Sequence, residues 1–119
     1  DGSSTYYMPR KIGDRRAREL MLTNRVLNAQ EALDWGVVNQ VVADGEALPA
    51  AQKLAAKLAQ GPTQAYGQVK ALLDSSFDHS LESQMELEAR AIAGLVGSPD
   101  GQEGLHAFLD KRKPQFSGQ

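Results

Sequence analysis

Residues 28–42 read NAQEALDWGVVNQVV, and they decide between a helical and a mixed fold. Asn28 is placed as an N-cap, Glu31 three residues later completes a capping box, and Gly36 supplies a C-terminal stop. The spacing therefore predicts a short helix ending at a glycine. The VVNQVV that follows, residues 37–42, is the one β-branched run in the chain and is about as long as a single strand. A lone strand has nothing to share its hydrogen bonds with, so this segment either finds a partner or is merely extended.

Outward from this stretch, everything else has helical periodicity. Towards the N-terminus, Ile12, Ala17, Leu20 and Met21 recur on one side of a stretch running from Lys11 to Leu22, which reads as an amphipathic helix with arginines on its other face. Towards the C-terminus, Leu48, Ala51, Leu54, Ala55 and Leu58 predict a helix that stops at Gly61-Pro62. A second begins near Thr63 with Tyr66, Val69, Leu72, Leu73 and Phe77 on one side. A third follows Ser80 with Leu81, Met85, Ala89, Ile92, Leu95 and Val96. Ser98-Pro99 starts the last one, Ser as N-cap and Pro at the first helical position, and Pro114 prevents its continuation. The fold class is mainly α, with at most one short strand near 37–42.

The 119 residues suit one domain of modest core, and 41% hydrophobic with 24% charged residues are globular proportions. No apolar run approaches the roughly 20 residues of a membrane helix, no apolar secretory segment stands at the N-terminus, and without Cys there are no disulfides or thiolate metal sites. These features predict a cytoplasmic protein. A net charge of −2 argues against a general nucleic-acid binder. The cations are nevertheless bunched, with Arg10, Lys11, Arg15, Arg16 and Arg18 near the start and Lys111, Arg112 and Lys113 near the end, so two local patches could meet an anion. Charge on a helix is more often a solvated face.

The commoner chemical motifs fail on inspection. His79 and His106 stand far apart without an HxxxH arrangement, so no metal site is expected. Ser3, Ser4 and Thr5 lack a nucleophile-elbow setting, and no glycine-rich phosphate loop is present. A helix-turn-helix reading of QEALDWGVVNQVV, residues 30–42, fails because Val37 to Pro49, where the recognition helix would lie, contains no Lys or Arg to meet phosphates. Glu88, near an apolar stripe, is expected to pair with Arg90 or another base. Taken alone, Asp1 beside Gly-Ser-Ser reads as a turn former.

Three longer segments change the reading. DGSSTYYMPRKIGDRRARELMLTNRVLNAQEALDWGVVNQVV, LAAKLAQGPTQAYGQVKALL and SPDGQEGLHAFLDKRKPQF together resemble the C-terminal part of the enoyl-CoA hydratase/isomerase, or crotonase, superfamily. MLTNR and DWGVV resemble its 4-chlorobenzoyl-CoA dehalogenase branch in particular. The resemblance implies an upstream spiral of ββα units carrying an oxyanion hole, absent here, and a C-terminal helical part that packs trimers. Residues 1–119 would be that part, and 1–10 a remnant active-site loop.

The resemblance further implies hydration or double-bond isomerisation through a thioester enolate, with no cofactor beyond the coenzyme A of the acyl-CoA substrate. Hydratases carry both acids upstream, whereas in isomerase and dehalogenase branches a carboxylate stands at or near the position of Asp1. There it shuttles a proton or attacks an aromatic ring. The residues matching Phe108 and Lys111 reach the coenzyme A of a neighbouring subunit, the ring beside adenine and the ammonium near a phosphate. The chain by itself is then expected to be inactive and to form homo-oligomers. The alternatives are a noncatalytic helical oligomerisation module or a dehalogenase-like acyl-CoA hydrolase. Neither nucleic acid nor membrane is an expected partner.

Overall fold

The computed structural model describes residues 2–119. Among them are seven α-helices and one 3-10 turn, and no strand. They form two compact units, the described residues up to 50 and residues 51–119.

In the first unit, α1 (Ser4–Ile12) and α2 (Asp14–Thr23) pack on each other and α3 (Ala29–Asp34) follows. The stretch expected as an N-terminal loop is thus helical from Ser4, and the helix expected over 11–22 is two helices. Gly13 divides them with φ 81° and ψ 157°, a conformation that L side chains rarely adopt. Its N–H still closes α1 on the Pro9 carbonyl at 2.9 Å, and its carbonyl opens α2 by accepting from Ala17 at 3.1 Å. Pro9 is tolerated inside α1 because the helix is short and only one carbonyl, four residues back, loses its N–H partner. Ile12 and Ala17, on either side of the Gly13 break, are the buried residues of this unit.

The capping box of α3 is present as expected. Glu31 N–H donates to Asn28 Oδ1 at 2.8 Å and Asn28 N–H to Glu31 Oε2 at 3.1 Å. The helix then ends in a Schellman turn. Gly36, at φ 74°, donates to Leu33 O (3.0 Å) and Val37 donates to Ala32 O (2.8 Å), which satisfies the orphan carbonyls. Residues 37–42 continue as irregular chain rather than a strand, since no second strand exists among the described residues to accept their hydrogen bonds.

α4 (Ala47–Ala59) crosses the division between the units. The second unit holds α5 (Thr63–Ser75), the 3-10 turn Ser76–Asp78, α6 (Leu81–Val96) and α7 (Pro99–Leu109), with α6 packed on both α5 and α7. The starts are those the sequence signals. Ser80 Oγ accepts from Ser83 N–H at 3.2 Å and Ser98 Oγ from Gly101 N–H at 3.0 Å, with Pro99 at the first turn of α7.

Burial is sparse. Ala107 and Asp100 are the buried residues of this unit, while Val69, Leu73, Met85 and Ile92 are all more than half exposed on α5 and α6. These apolar stripes, regular in the sequence, are left on the surface.

One close packing point generates a prediction. A side chain at Gly101 would collide with the Leu95 carbonyl at the α6–α7 corner. Gly101→Ala is expected to destabilise the second unit by about 1–3 kcal/mol, measured by urea unfolding. An unchanged midpoint would show the corner to be looser than described.

Candidate functional site

The expected catalytic carboxylate, Asp1, lies outside the described residues. The helix that follows it presents aromatic and basic side chains. Tyr6 and Tyr7 meet edge to face with centroids 5.1 Å apart, and the Arg10 guanidinium lies 3.6 Å from the Tyr6 ring centroid while donating to the Tyr6 carbonyl at 2.9 Å.

The arginine-rich stretch that suggested an anion patch is largely engaged within its own unit. Arg18 pairs with Asp14 at 2.7 Å. Arg16 and Arg25 lie 4.7 and 5.0 Å from the Trp35 ring centroid, and Arg25 also pairs with Glu19 at 3.2 Å and with Glu31. The Glu31 carboxylate therefore serves the α3 cap and an ion pair together. In the second unit Arg90 pairs with Glu86 (2.8 Å), four residues before it and one helical turn away, rather than with Glu88. Glu88 instead borders an apolar cleft of about 280 Å³ with Val69, Leu72 and Ile92.

Phe108 and Lys111 lie at the end of α7. Phe108 is 79% exposed, a costly position for an aromatic ring with no neighbour to cover it. Lys111 is past the last helical residue, so the two do not share a helical face as their spacing had suggested. They share a second Schellman turn. Lys111 N–H donates to Phe108 O at 3.2 Å and Arg112 N–H to Ala107 O at 3.0 Å. The left-handed residue of this turn is Lys111 itself, at φ 54°. Such a conformation costs a residue with a Cβ roughly 1–2 kcal/mol, and at Gly36 the same turn uses a glycine.

The surroundings hold Lys111 there. Glu103 accepts from the two terminal guanidinium nitrogens of Arg112, at 2.7 and 2.8 Å, and from the Gln115 N–H at 2.7 Å. One turn earlier, buried Asp100 accepts from Ser117 N–H (2.7 Å), Ser117 Oγ (3.1 Å) and Gly118 N–H (2.8 Å), and its own N–H donates to Gln119 O (2.9 Å). Phe116 rests over Gly104, where an added Cβ would meet the ring edge at 3.5 Å. Residues 112–119 thus run back along α7 and are fastened to two of its carboxylates.

The ionisation of both groups follows from these bonds. The Ser117 N–H chiefly lowers the Asp100 pKa, against burial and with help from Gly118. Arg112 first, then Gln115 N–H, lower the Glu103 pKa from the ordinary 4.5 to about 2, and Arg112 is raised in return.

Sequence reasoning did not find these carboxylates. Asp100 and Glu103 carry no local sign of their role, because their partners lie nine to eighteen residues away at no periodic spacing. The Arg112 that pairs with Glu103 was visible only as one of three clustered cations. Among the described residues, no three metal-ligating side chains cluster, and no helix is long and apolar enough to cross a membrane.

A family profile described as enoyl-CoA hydratase/isomerase matches residues 1–119. This chain belongs to that family. It is 41% identical over 119 residues to 1,2-epoxyphenylacetyl-CoA isomerase of Escherichia coli, covering 99% of this chain and 45% of the relative. It is 40% identical over 111 residues to 4-chlorobenzoyl coenzyme A dehalogenase-1 of Arthrobacter, covering 93% and 40%. The crystal structure of enoyl-CoA hydratase subunit I from Geobacillus kaustophilus superposes with a TM-score of 0.94 at 34% identity, over 100% of this chain and 46% of that one. The chain therefore spans less than half the length of these relatives, and its helical fold is that of part of a crotonase-type chain.

The low Glu103 pKa has a testable sign. The group gives up a proton more easily when folded, so its contribution to stability is full above about pH 4.5 and is lost as the pH falls towards 2. Carbon-detected NMR titration should place the Glu103 midpoint near 2, and Arg112→Gln should move it upwards towards the ordinary value. A wild-type midpoint near 4.5 would contradict the pairing.

Proposed function

We propose that this chain is the C-terminal portion of an acyl-CoA enzyme that hydrates or isomerises an enoyl-CoA through a thioester enolate. The observation that carries the reading is the family match along the whole of residues 1–119. In this reading the upstream part supplies preorganised N–H donors to the enolate oxygen, where negative charge develops. Asp1 moves the proton, as a positioned carboxylate does in general acid–base catalysis. Phe108 and Lys111 meet the nucleotide end of coenzyme A, the ring against the base and the ammonium on a phosphate. Their support is physical: an exposed ring and an exposed cation set on one tight turn. No cofactor is needed beyond the substrate's own coenzyme A, and the compartment is the cytoplasm.

The similarity to the Arthrobacter dehalogenase favours a second reading, in which the substrate is an aromatic acyl-CoA and Asp1 attacks the ring. The two differ in what Asp1 touches, so substrate trials separate them.

The test compares enoyl-CoA turnover by residues 1–119 with turnover by the protein extended upstream. The longer protein should be active and the shorter one inactive. Asp1→Asn in the longer protein should lower kcat by about 10²-fold or more. Turnover of only a halogenated aromatic thioester would transfer the assignment to the second reading, and an Asp1→Asn enzyme of full activity would remove Asp1 from both.

The exposed apolar stripes of α5 and α6 support assembly into homo-oligomers, which the upstream part and neighbouring copies would cover. Sedimentation of the extended protein should give an oligomer, and a monomer at high concentration would contradict this.

A further inference from the structure

The turn that carries Lys111 is held from outside itself. A Schellman turn normally relies on glycine, whose freedom makes the left-handed residue cheap. Here Lys111 occupies that place, and the residue after it, Arg112, is fixed by the two-pronged pair with Glu103. Glu103 also takes the Gln115 N–H, so three hydrogen bonds to one carboxylate hold the chain that follows the turn. Asp100 fastens the far end of the same tail through Ser117 and Gly118. Both carboxylates are engaged in hydrogen bonds to the tail.

Strained backbone persists where the surroundings over-determine it, and it concentrates at working sites. What the strain secures here is the direction of one side chain. At φ 54° the Cα–Cβ bond of Lys111 leaves the chain in a direction that a helical or extended residue would not give it, three residues after the exposed Phe108. Holding a ligand-binding pair in place before the ligand arrives lowers the ordering cost of binding.

We propose that Asp100 and Glu103 are positioning residues, which clamp the tail so that Lys111 and Phe108 stand ready for the phosphorylated nucleotide end of an acyl-CoA. This rests on the coenzyme A reading above, and the experiment separates the two.

The protein extended upstream is assayed with an acyl-CoA and with the matching acyl-pantetheine, which lacks the nucleotide. Glu103→Gln and Asp100→Asn should raise KM for the acyl-CoA by about three- to ten-fold, leave kcat within about twofold, and leave both constants for the acyl-pantetheine unchanged. Ser117→Ala, which removes one hydroxyl hydrogen bond, is the milder variant should Asp100→Asn fail to fold, and should move KM in the same direction by about twofold. Lys111→Gly should melt at a temperature about 2–5 °C higher than Lys111→Ala, because it relieves the turn, yet raise KM for the acyl-CoA as much as Lys111→Ala does.

If Lys111→Ala raises KM for the acyl-CoA while the clamp variants, Ser117→Ala included, do not, the positioning role is overturned and the coenzyme A reading stands. If the clamp variants raise KM equally for both substrates, or dissociate the assembly, Asp100 and Glu103 are packing residues and the proposal fails. If Phe108→Ala and Lys111→Ala change nothing, the coenzyme A reading fails and the clamp has no site to position.

Discussion

Two carboxylates on successive turns of α7 hold the end of the chain, and the geometry of the candidate site follows from them. Asp100 is the buried charged residue of the second unit, yet no charge is left unmet, because three donors from the tail converge on it. A carboxylate so provided for resists protonation, as does Glu103 under the Arg112 guanidinium. The tail has no secondary structure of its own, and these bonds replace a ladder. Gly104 lets Phe116 lie close to the helix, and Gly101 lets α7 turn tightly out of α6. The two glycines share a helix with the two acids, and each pair serves one purpose, to admit the chain closely and to fasten it.

How much of this could be read beforehand depends on the range of the interactions. The cap of α3 was legible because Asn28 and Glu31 answer each other three residues apart, and its end was legible because Gly36 advertises a left-handed residue. The starts of α6 and α7 were legible for the same reason. The end of α7 uses the same turn as α3 but with lysine at the left-handed place, so the sequence carried no local sign of it and Pro114 was credited with the stop. The division at Gly13 was missed because apolar residues recur on both sides of the glycine, and periodicity alone does not register its positive φ. The 37–42 run shows the converse. Its β-branched residues favour a strand, but propensity cannot supply a partner.

The site divides in the same way. Phe108 and Lys111 came from resemblance to a family, and the shared turn that joins them came from the structure. Asp100 and Glu103 came from neither composition nor spacing, since their partners lie in a segment without periodicity. The helices from α3 onward, by contrast, were legible from local spacing and say little about chemistry. Their stripes describe exposed apolar surface, on a chain that spans less than half the length of its relatives.

Amide hydrogen exchange on the chain itself shows directly whether two carboxylates fasten residues 112–119 to α7. The N–H groups of Gln115, Ser117 and Gly118 donate to Glu103 and Asp100, so they should exchange about 10²-fold or more slowly than in an unstructured peptide near neutral pH. In Glu103→Gln and Asp100→Asn that protection should fall, at Gln115 in the first and at Ser117 and Gly118 in the second. Exchange of all three amides at unstructured rates in the wild-type chain would contradict the account, because a loose tail would leave nothing to hold Lys111 in its turn.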